Sequence, residues 1–214
     1  MIEEIQSNLQ LLYEIETKHR VSNFVTSNAR LKAALLASDG ASKETVFIRE
    51  EGGCLDIAVF IDEEVLRQLS RSLTPENLLT KNIDNYCYAL EGVSHFLYLI
   101  YNVGYDRSVN LLEMELQAEV DKFIMLQTMI DREGNGRYKP DAHSIVFEDM
   151  HLRSGLSPEE TTRYKDANFF AGKFCQSLLR NYIGNRNPAD MKRQLRRFYR
   201  LPLQEKIRLI NHLL

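Results

Sequence analysis

The sequence has few of the residues that mark linkers, and it has no run long enough to span a membrane. Five Pro and ten Gly in 214 residues argue against low-complexity linkers and against a many-stranded sandwich. The longest apolar runs, such as residues 96–101, are far shorter than the about 20 residues that a transmembrane helix needs. The composition, with 44% hydrophobic and 27% charged residues, is typical of a globular protein. We therefore predict no membrane association.

Cysteine is also scarce, and its spacing excludes the usual sulfur motifs. Cys54, Cys87 and Cys175 are widely separated and form no C-x-x-C pair. Neither a structural zinc site nor a redox motif is supported, so each cysteine is expected to be a buried thiol. The chain starts with acidic residues, Glu3 and Glu4, where a signal peptide carries bases. We predict a cytoplasmic protein.

The spacing of apolar residues predicts a mainly α fold, a multi-helix bundle-like domain with one β-hairpin packed against the helices. Apolar positions recur at helical intervals over most of the chain, and Ser or Thr followed by Pro marks several helix starts. The predicted helices include residues 2–18, 28–36, 83–103, 108–131, 158–183 and 188–200.

The only strong β signal lies at residues 45–60. Two apolar runs flank a turn that contains Gly52 and Gly53, as in a hairpin. Leu55, Ile57 and Val59 alternate with polar or small residues, which predicts one covered face and an exposed Asp56. A hairpin is marginal alone, so it must pack on helices, and its edge strands could pair between chains.

The chain divides into a predicted core domain, residues 1–184, and a basic C-terminal helical hairpin, residues 185–214, packed on the same domain. Residues 132–156 form a long irregular stretch with a possible short strand at 145–147. The helices at 83–103 and 108–131 are joined by a short turn, which predicts an antiparallel pair.

The charge is unevenly distributed along the chain. Between Arg186 and Arg208 there are eight bases and two acids, so this segment carries +6. Because the whole chain carries −3, the remainder carries −9. A small net charge therefore conceals an acidic body and a basic tail.

The basic residues of the tail fall in one arc of a predicted amphipathic helix, opposite Met191, Leu195 and Phe198. Such a face binds an acidic surface or is simply solvated. The acidic body makes nucleic acid an unlikely ligand, because nucleic-acid-binding domains are typically basic overall. We predict a protein partner or self-association, with these partner-binding residues: Lys192, Arg193, Arg196, Arg197 and Arg200.

A carboxylate lies in the apolar stripe of the segment 108–131. At about 100° per residue, Glu119 points close to Leu112 and away from the solvated face. A buried carboxylate costs free energy unless a charged or hydrogen-bonding group meets it. We therefore predict that Glu119 is substantially buried and accepts a hydrogen bond.

Spacings of four residues suggest a larger constellation across the two helices. Glu91 and His95 lie on one face of the first helix, and Glu115 and Glu119 lie on one face of the second. If these two faces meet, the side chains could bind a divalent metal or provide a general base. The alternative is a structural network in which Glu119 bonds His95, Tyr98 or Arg163, while Glu91 and Tyr88 face water. The candidate metal ligands are Glu91, His95, Glu115 and Glu119, and the candidate catalytic residues are Glu91, His95 and Glu119.

Common catalytic motifs are missing. The sequence has no Gly-rich phosphate loop, no Gly-x-Ser-x-Gly, no His-Glu-x-x-His and no dinucleotide fingerprint. The leading hypothesis is therefore a non-enzymatic protein-interaction or regulatory module that self-associates as a homo-oligomer and uses no cofactor. The alternative is a small metal-dependent hydrolase that holds a divalent metal in the Glu/His cluster.

Overall fold

The computed structural model describes residues 1–35, 42–52, 54–71, 74–132, 141–148, 155–183 and 187–213. Most of these residues are helical, and a small three-stranded sheet packs against the helices. The predicted mainly α fold with a strand hairpin is confirmed.

The helices and strands follow one another in an order close to the predicted one. The helices are α1 (Ile2–Tyr13), α2 (Ala29–Leu35), α3 (Glu63–Arg71), α4 (Pro75–Lys81), α5 (Ile83–Val103), α6 (Leu111–Arg132), α7 (Pro158–Leu178), α8 (Pro188–Arg200) and α9 (Leu203–His212). The strands are β1 (Val25–Thr26), β2 (Glu44–Glu51) and β3 (Cys54–Ile61). Short π-helical turns cover Ser144–Glu148 and Leu179–Ile183.

Several helices begin at side-chain caps that the sequence indicates. Ser157 and Glu160 form a reciprocal capping box at the start of α7. Thr74 accepts a hydrogen bond from the Asn77 N–H, and Asn187 accepts one from the Asp190 N–H. Because these side chains satisfy backbone donors that the first helical turn leaves unpaired, they fix the starting residues.

Helix α1 ends at Tyr13, so the prediction that it reaches residue 18 is wrong. Glu14 adopts a left-handed conformation with φ of 54°, and its N–H donates to the Gln10 carbonyl. The N–H of Ile15 donates to the same carbonyl at 3.0 Å, and Ile15 is buried. This left-handed ending turns the chain so that Ile15 packs against the core instead of continuing the helix.

The hairpin belongs to a sheet with strand order β1-β3-β2. Strands β2 and β3 are antiparallel, whereas the two-residue β1, which the sequence analysis missed, is parallel to β3. Val59 is fully buried, Leu55 and Ile57 are half-buried, and Asp56 is exposed. The predicted orientation of the hairpin is confirmed, while pairing of its edge between chains stays a prediction.

Helices α5 and α6 form the predicted antiparallel pair. Glu91 contacts Lys122, and one turn later Ser94 donates to Asp121 at 2.6 Å. Toward the C-terminal end of α5, the hydroxyl of Tyr98 donates to Glu113 at 2.5 Å. Residues later in α5 therefore contact residues earlier in α6, which is the pattern of antiparallel helices.

The predicted strand at residues 145–147 is wrong, because this segment lies in the π-helical turn Ser144–Glu148. Asp141 precedes the turn and accepts hydrogen bonds from the His143 N–H and the Ser144 hydroxyl. A short apolar run does not by itself distinguish a strand from a helical turn, and here the cap favours the turn. Residues 133–140 and 149–154 of the same predicted loop lie outside the described residues.

The C-terminal helices lie against the rest of the molecule. Helix α8 contacts α1, and α9 contacts α7. The predicted boundary between residues 184 and 185 lies outside the described residues, so the division into a core and a C-terminal hairpin stays a prediction.

Candidate functional site

Charged side chains from four elements meet beneath the hairpin, on the inner faces of α5 and α6. We call this group the polar cluster. Its side chains are between 6% and 20% exposed. Its members are Glu44 at the start of β2, Glu91 and His95 on α5, Glu115, Glu119 and Lys122 on α6, and Arg163 on α7.

One half of the polar cluster is a lysine between two carboxylates. The Lys122 ammonium lies 2.6 Å from an oxygen of Glu91 and 2.9 Å from an oxygen of Glu119. The Glu119 side chain is 15% exposed and accepts a hydrogen bond from Lys122. The prediction that Glu119 is buried and hydrogen-bonded is therefore confirmed, with a partner that the sequence analysis did not name.

The other half is a histidine between two carboxylates. His95 Nδ1 lies 3.6 Å from Glu44 Oε1, and His95 Nε2 lies 3.6 Å from Glu115 Oε2. The second oxygen of Glu115 lies 3.6 Å from Arg163 Nε. These distances are longer than hydrogen bonds, so the groups attract one another by charge without direct bonds.

Glu44 reaches His95 because a glycine of α5 leaves room for it. A Cβ atom on Gly92 would lie 2.9 Å from Val59 Cγ1 and 3.1 Å from Glu44 Cγ. Both distances are shorter than ordinary contacts between carbon atoms. Glycine has a lower helix propensity than alanine, so Gly92 destabilises α5 slightly. Its missing side chain lets the hairpin approach the helix closely enough to bury the Glu44 carboxylate.

Burial and charge shift the pKa values of the polar cluster. Burial raises the pKa of Glu44 to about 7, against the opposing effect of His95. Burial alone lowers the pKa of His95, but the nearby carboxylates of Glu115 and Glu44 raise it well above its usual range. Burial also raises the pKa of Glu119, whereas the two carboxylates beside Lys122 raise the pKa of that ammonium.

Three buried polar atoms of the polar cluster make no hydrogen bond within the described part of the chain. They are Glu44 Oε1, His95 Nε2 and Arg163 Nε. Buried polar atoms are nearly always paired, so a concentration of unpaired ones indicates a strained network or an absent ligand.

The four predicted site residues thus lie in one cluster, but they interact with different partners. His95 faces Glu115, while Glu91 and Glu119 share Lys122. The structural alternative placed Glu91 in water, and this is wrong, because its side chain is only 15% exposed. That alternative also gave Glu119 the wrong partners: Arg163 faces Glu115, and Tyr98 donates to Glu113.

Two members of the polar cluster were missed. Lys122 stands three residues after Glu119 on the same helix face, so the helical spacing contained the signal. Glu44 begins a strand, and its direction depends on how the hairpin docks on α5, which local sequence does not encode.

A second buried network surrounds Lys206 of α9, which is completely buried. Its ammonium donates to the Gln117 side-chain oxygen at 2.8 Å and lies 4.7 Å and 4.6 Å from the ring centres of Tyr98 and Phe198. Gln117 in turn donates to Asp121 at 2.9 Å. Burial lowers the pKa of Lys206 well below its usual range.

The predicted basic face of α8 is divided between an internal and an external role. Arg196 Nε donates to the Leu12 carbonyl at 2.8 Å, and Arg200 donates to the Tyr13 carbonyl at 3.0 Å. Both carbonyls belong to the last turn of α1, where helices leave acceptors unpaired. The expectation that this basic face is exposed is therefore wrong for Arg196, whose side chain is only 27% exposed, whereas Arg200 is exposed although it binds α1.

The three bases of α8 that do not bind α1 are also exposed: Lys192, Arg193 and Arg197. Arg193 pairs with Asp190 at 2.6 Å, both on the surface. The structure gives Lys192 and Arg197 no ion pair with another described residue.

Lys192 also lines an apolar groove between α1, α4, α5 and α6, with a cavity volume of about 240 Å³. The rest of its lining includes the buried Leu78 and Met129 and a second base, Arg132. Leu11 lies at the groove with 76% of its surface exposed.

Comparison with protein-family models, with curated proteins and with solved structures finds no match to this chain. Among the described residues, no helix combines the length and the apolar character needed to cross a membrane.

Proposed function

We propose that this protein is a non-enzymatic interaction module that binds an acidic, apolar segment of a partner protein. The partner's apolar side chains would enter the groove between α1 and α6. Its acidic side chains would meet Lys192 and Arg132, which line the groove, and Arg197, which is exposed elsewhere on α8. The observation that supports this proposal is the presence of two exposed bases, Lys192 and Arg132, in the lining of an apolar groove.

The exposed apolar side chain at the groove supports the same proposal. Leu11 is 76% exposed although it lies on a helix whose other face is in the core. A single exposed leucine is common on protein surfaces. Beside a groove and two bases, however, it provides the apolar centre and charged rim that interfaces typically combine.

Charge also favours a protein partner over nucleic acid. Lys192 and Arg197 are only two bases, whereas the molecule outside the tail carries −9 and would repel phosphates. Acidic partners would be steered to the tail by the field of these bases. The free thiols of Cys87 and Cys175 support a place in the reducing cytoplasm.

The test is a charge-reversal experiment with a displayed library of random peptides. We expect the wild-type protein to select peptides with acidic and large apolar residues, and K192E/R197E to weaken their binding at least about tenfold. The loss should shrink at high salt, since exposed charges are screened. K165E/R180E, on α7 and on the π-helical turn that follows it, is the matched control, because it reverses the same number of exposed bases away from the groove.

Three outcomes would contradict the proposal. Equal loss of binding in both double variants would mean that only net charge matters. Binding of DNA or RNA at physiological salt, abolished by K192E/R197E, would favour a nucleic-acid ligand. Concentration-dependent dimers that K192E/R197E dissociates would identify a second copy of the chain as the occupant of the groove.

The alternative, a metal-dependent hydrolase with Glu91, His95, Glu115 and Glu119, has weaker support. Lys122 already binds two of these three carboxylates, those of Glu91 and Glu119. The side chains of the polar cluster are at most 20% exposed, which leaves a substrate little access to them. We therefore treat cation binding separately from catalysis.

A further inference from the structure

Three potential metal ligands converge where the hairpin meets α5. One ligand atom each from Glu44, Glu91 and His95 lies within 4.8 Å of the other two. Glu91 and His95 are one helical turn apart on α5, and Glu44 approaches them from β2. The set therefore joins two elements that are distant in sequence.

An independent observation points to a ligand between these side chains. Glu44 Oε1 is buried, and it makes no hydrogen bond with any described residue. It faces His95 Nδ1 at 3.6 Å, in the space that Gly92 leaves open. An unpaired carboxylate oxygen in a dry environment is costly, and a bound cation would remove that cost.

We propose that Glu44, Glu91 and His95 bind one divalent cation of the first transition series. An imidazole nitrogen with carboxylate oxygens suits manganese, iron or zinc, whereas magnesium and calcium prefer sites made of oxygen alone. Ligand atoms around a four-coordinate ion lie about 3.4 Å apart, given bonds of about 2.1 Å. The three ligand atoms lie within 4.8 Å of one another, so small side-chain rotations would bring them to that spacing.

The surroundings of His95 fit this arrangement. Nδ1 faces Glu44 and is the nitrogen placed to bind the cation, while Nε2 faces Glu115 at 3.6 Å. Metal-binding histidines usually donate their second N–H to a carboxylate, which fixes the ring orientation. Arg163 lies beside the other oxygen of Glu115 and holds that carboxylate in place.

Lys122 limits the polar cluster to a single cation. Its ammonium lies 2.6 Å from Glu91 and 2.9 Å from Glu119, where a second metal ion would need to bridge the same carboxylates. Glu119 is therefore charge-balanced by Lys122 and is not a ligand in this proposal.

The experiment uses Mn²⁺ as the probe, because it is paramagnetic and because thiols compete for it less than for Zn²⁺. Calorimetry of the untagged, chelator-treated chain should show one saturable Mn²⁺ site, with binding to Mg²⁺ and Ca²⁺ at least about tenfold weaker. Pulsed electron paramagnetic resonance should show coupling of the bound Mn²⁺ to an imidazole nitrogen. In H95Q that coupling should disappear.

Matched variants separate the ligands from the rest of the cluster. E44Q should weaken Mn²⁺ binding at least about tenfold, while E119Q should leave it within about threefold. Both changes remove one buried carboxylate of the same cluster and preserve its shape, so a general charge effect would move them together. Circular dichroism of the metal-free variants confirms that they fold.

Three results would overturn the proposal: no saturable Mn²⁺ binding by wild type, equal losses in E44Q and E119Q, or bound Mn²⁺ without nitrogen coupling. If E44Q fails to fold, the spectroscopy of wild type and H95Q decides alone. The peptide experiment on α8 is independent, so either proposal can fail without the other.

Discussion

Replacing Arg196 with alanine should destabilise the protein, while replacing its neighbour Arg193 should not. The two arginines stand three residues apart on α8, and the sequence gives them equivalent positions on the basic face. The structure separates them: the Arg193 side chain is 74% exposed, whereas that of Arg196 is 27% exposed and binds the end of α1.

The expected cost follows from the contacts that each side chain makes. Arg196 donates a charge-assisted hydrogen bond to the Leu12 carbonyl at 2.8 Å, and such bonds contribute about 1.5–3 kcal/mol. Its ion pair with Glu14 at 2.6 Å is solvent-exposed and adds about 0.2–1 kcal/mol. The sum is about 2–4 kcal/mol for R196A. Arg193 has only a surface ion pair with Asp190, so R193A should cost less than about 1 kcal/mol.

Urea denaturation followed by circular dichroism measures the difference directly. R196K retains the charge but lacks the planar guanidinium that contacts both the carbonyl and Glu14, so it should recover only part of the loss. In a double-mutant cycle, R196A and R200A should be non-additive, because both residues bind the last turn of α1. Equal stabilities of R196A and R193A would refute the inference that α8 caps α1.

Three further predictions concern the buried polar groups. G92A should destabilise the fold by about 1–3 kcal/mol in a thermal melt, since the added methyl group overlaps the hairpin and displaces Glu44. Burial lowers the pKa of Lys206 in the folded state below the ordinary value of 10.5. Between these two pKa values the unfolded chain binds one more proton than the folded chain, so the free energy of unfolding rises with pH. Urea titrations should show this slope, about 1.4 kcal/mol per pH unit at most, and K206M should abolish it. E119A should cost about 1–3 kcal/mol by leaving Lys122 with one carboxylate, and E119Q should cost less in the same assay.

Helix boundaries were predictable where a local chemical signal fixes them. Ser157 with Pro158 and Glu160 specifies the start of α7 without reference to any other element. The end of α1 was not predictable in this way, because Glu14 is an ordinary helix-forming residue. Its left-handed conformation brings Ile15 into the core, and this gain depends on tertiary packing.

The same distinction applies to the candidate sites. Helical periodicity alone placed Glu119 on a buried face, and it gathered Glu91, His95 and Glu115 into one cluster. It could not supply Glu44, which reaches the cluster from a strand. It also could not distinguish Arg196 from Arg193, because the carbonyl that Arg196 binds, that of Leu12, lies 184 residues away in sequence.

The bases of the tail make different contacts, and this determines how much positive charge the tail presents to a partner. Arg196 and Arg200 neutralise the carbonyl end of α1, and Lys206 is buried among aromatic rings. Within the described residues, Lys192 and Arg197 are the exposed bases of α8 whose side chains make neither an ion pair nor a hydrogen bond, whereas the exposed Arg200 binds the Tyr13 carbonyl. A segment that carries +6 by composition therefore presents much less charge to a partner. Recognition by two bases needs apolar contacts to reach useful affinity, and the groove beside Lys192 is placed to provide them.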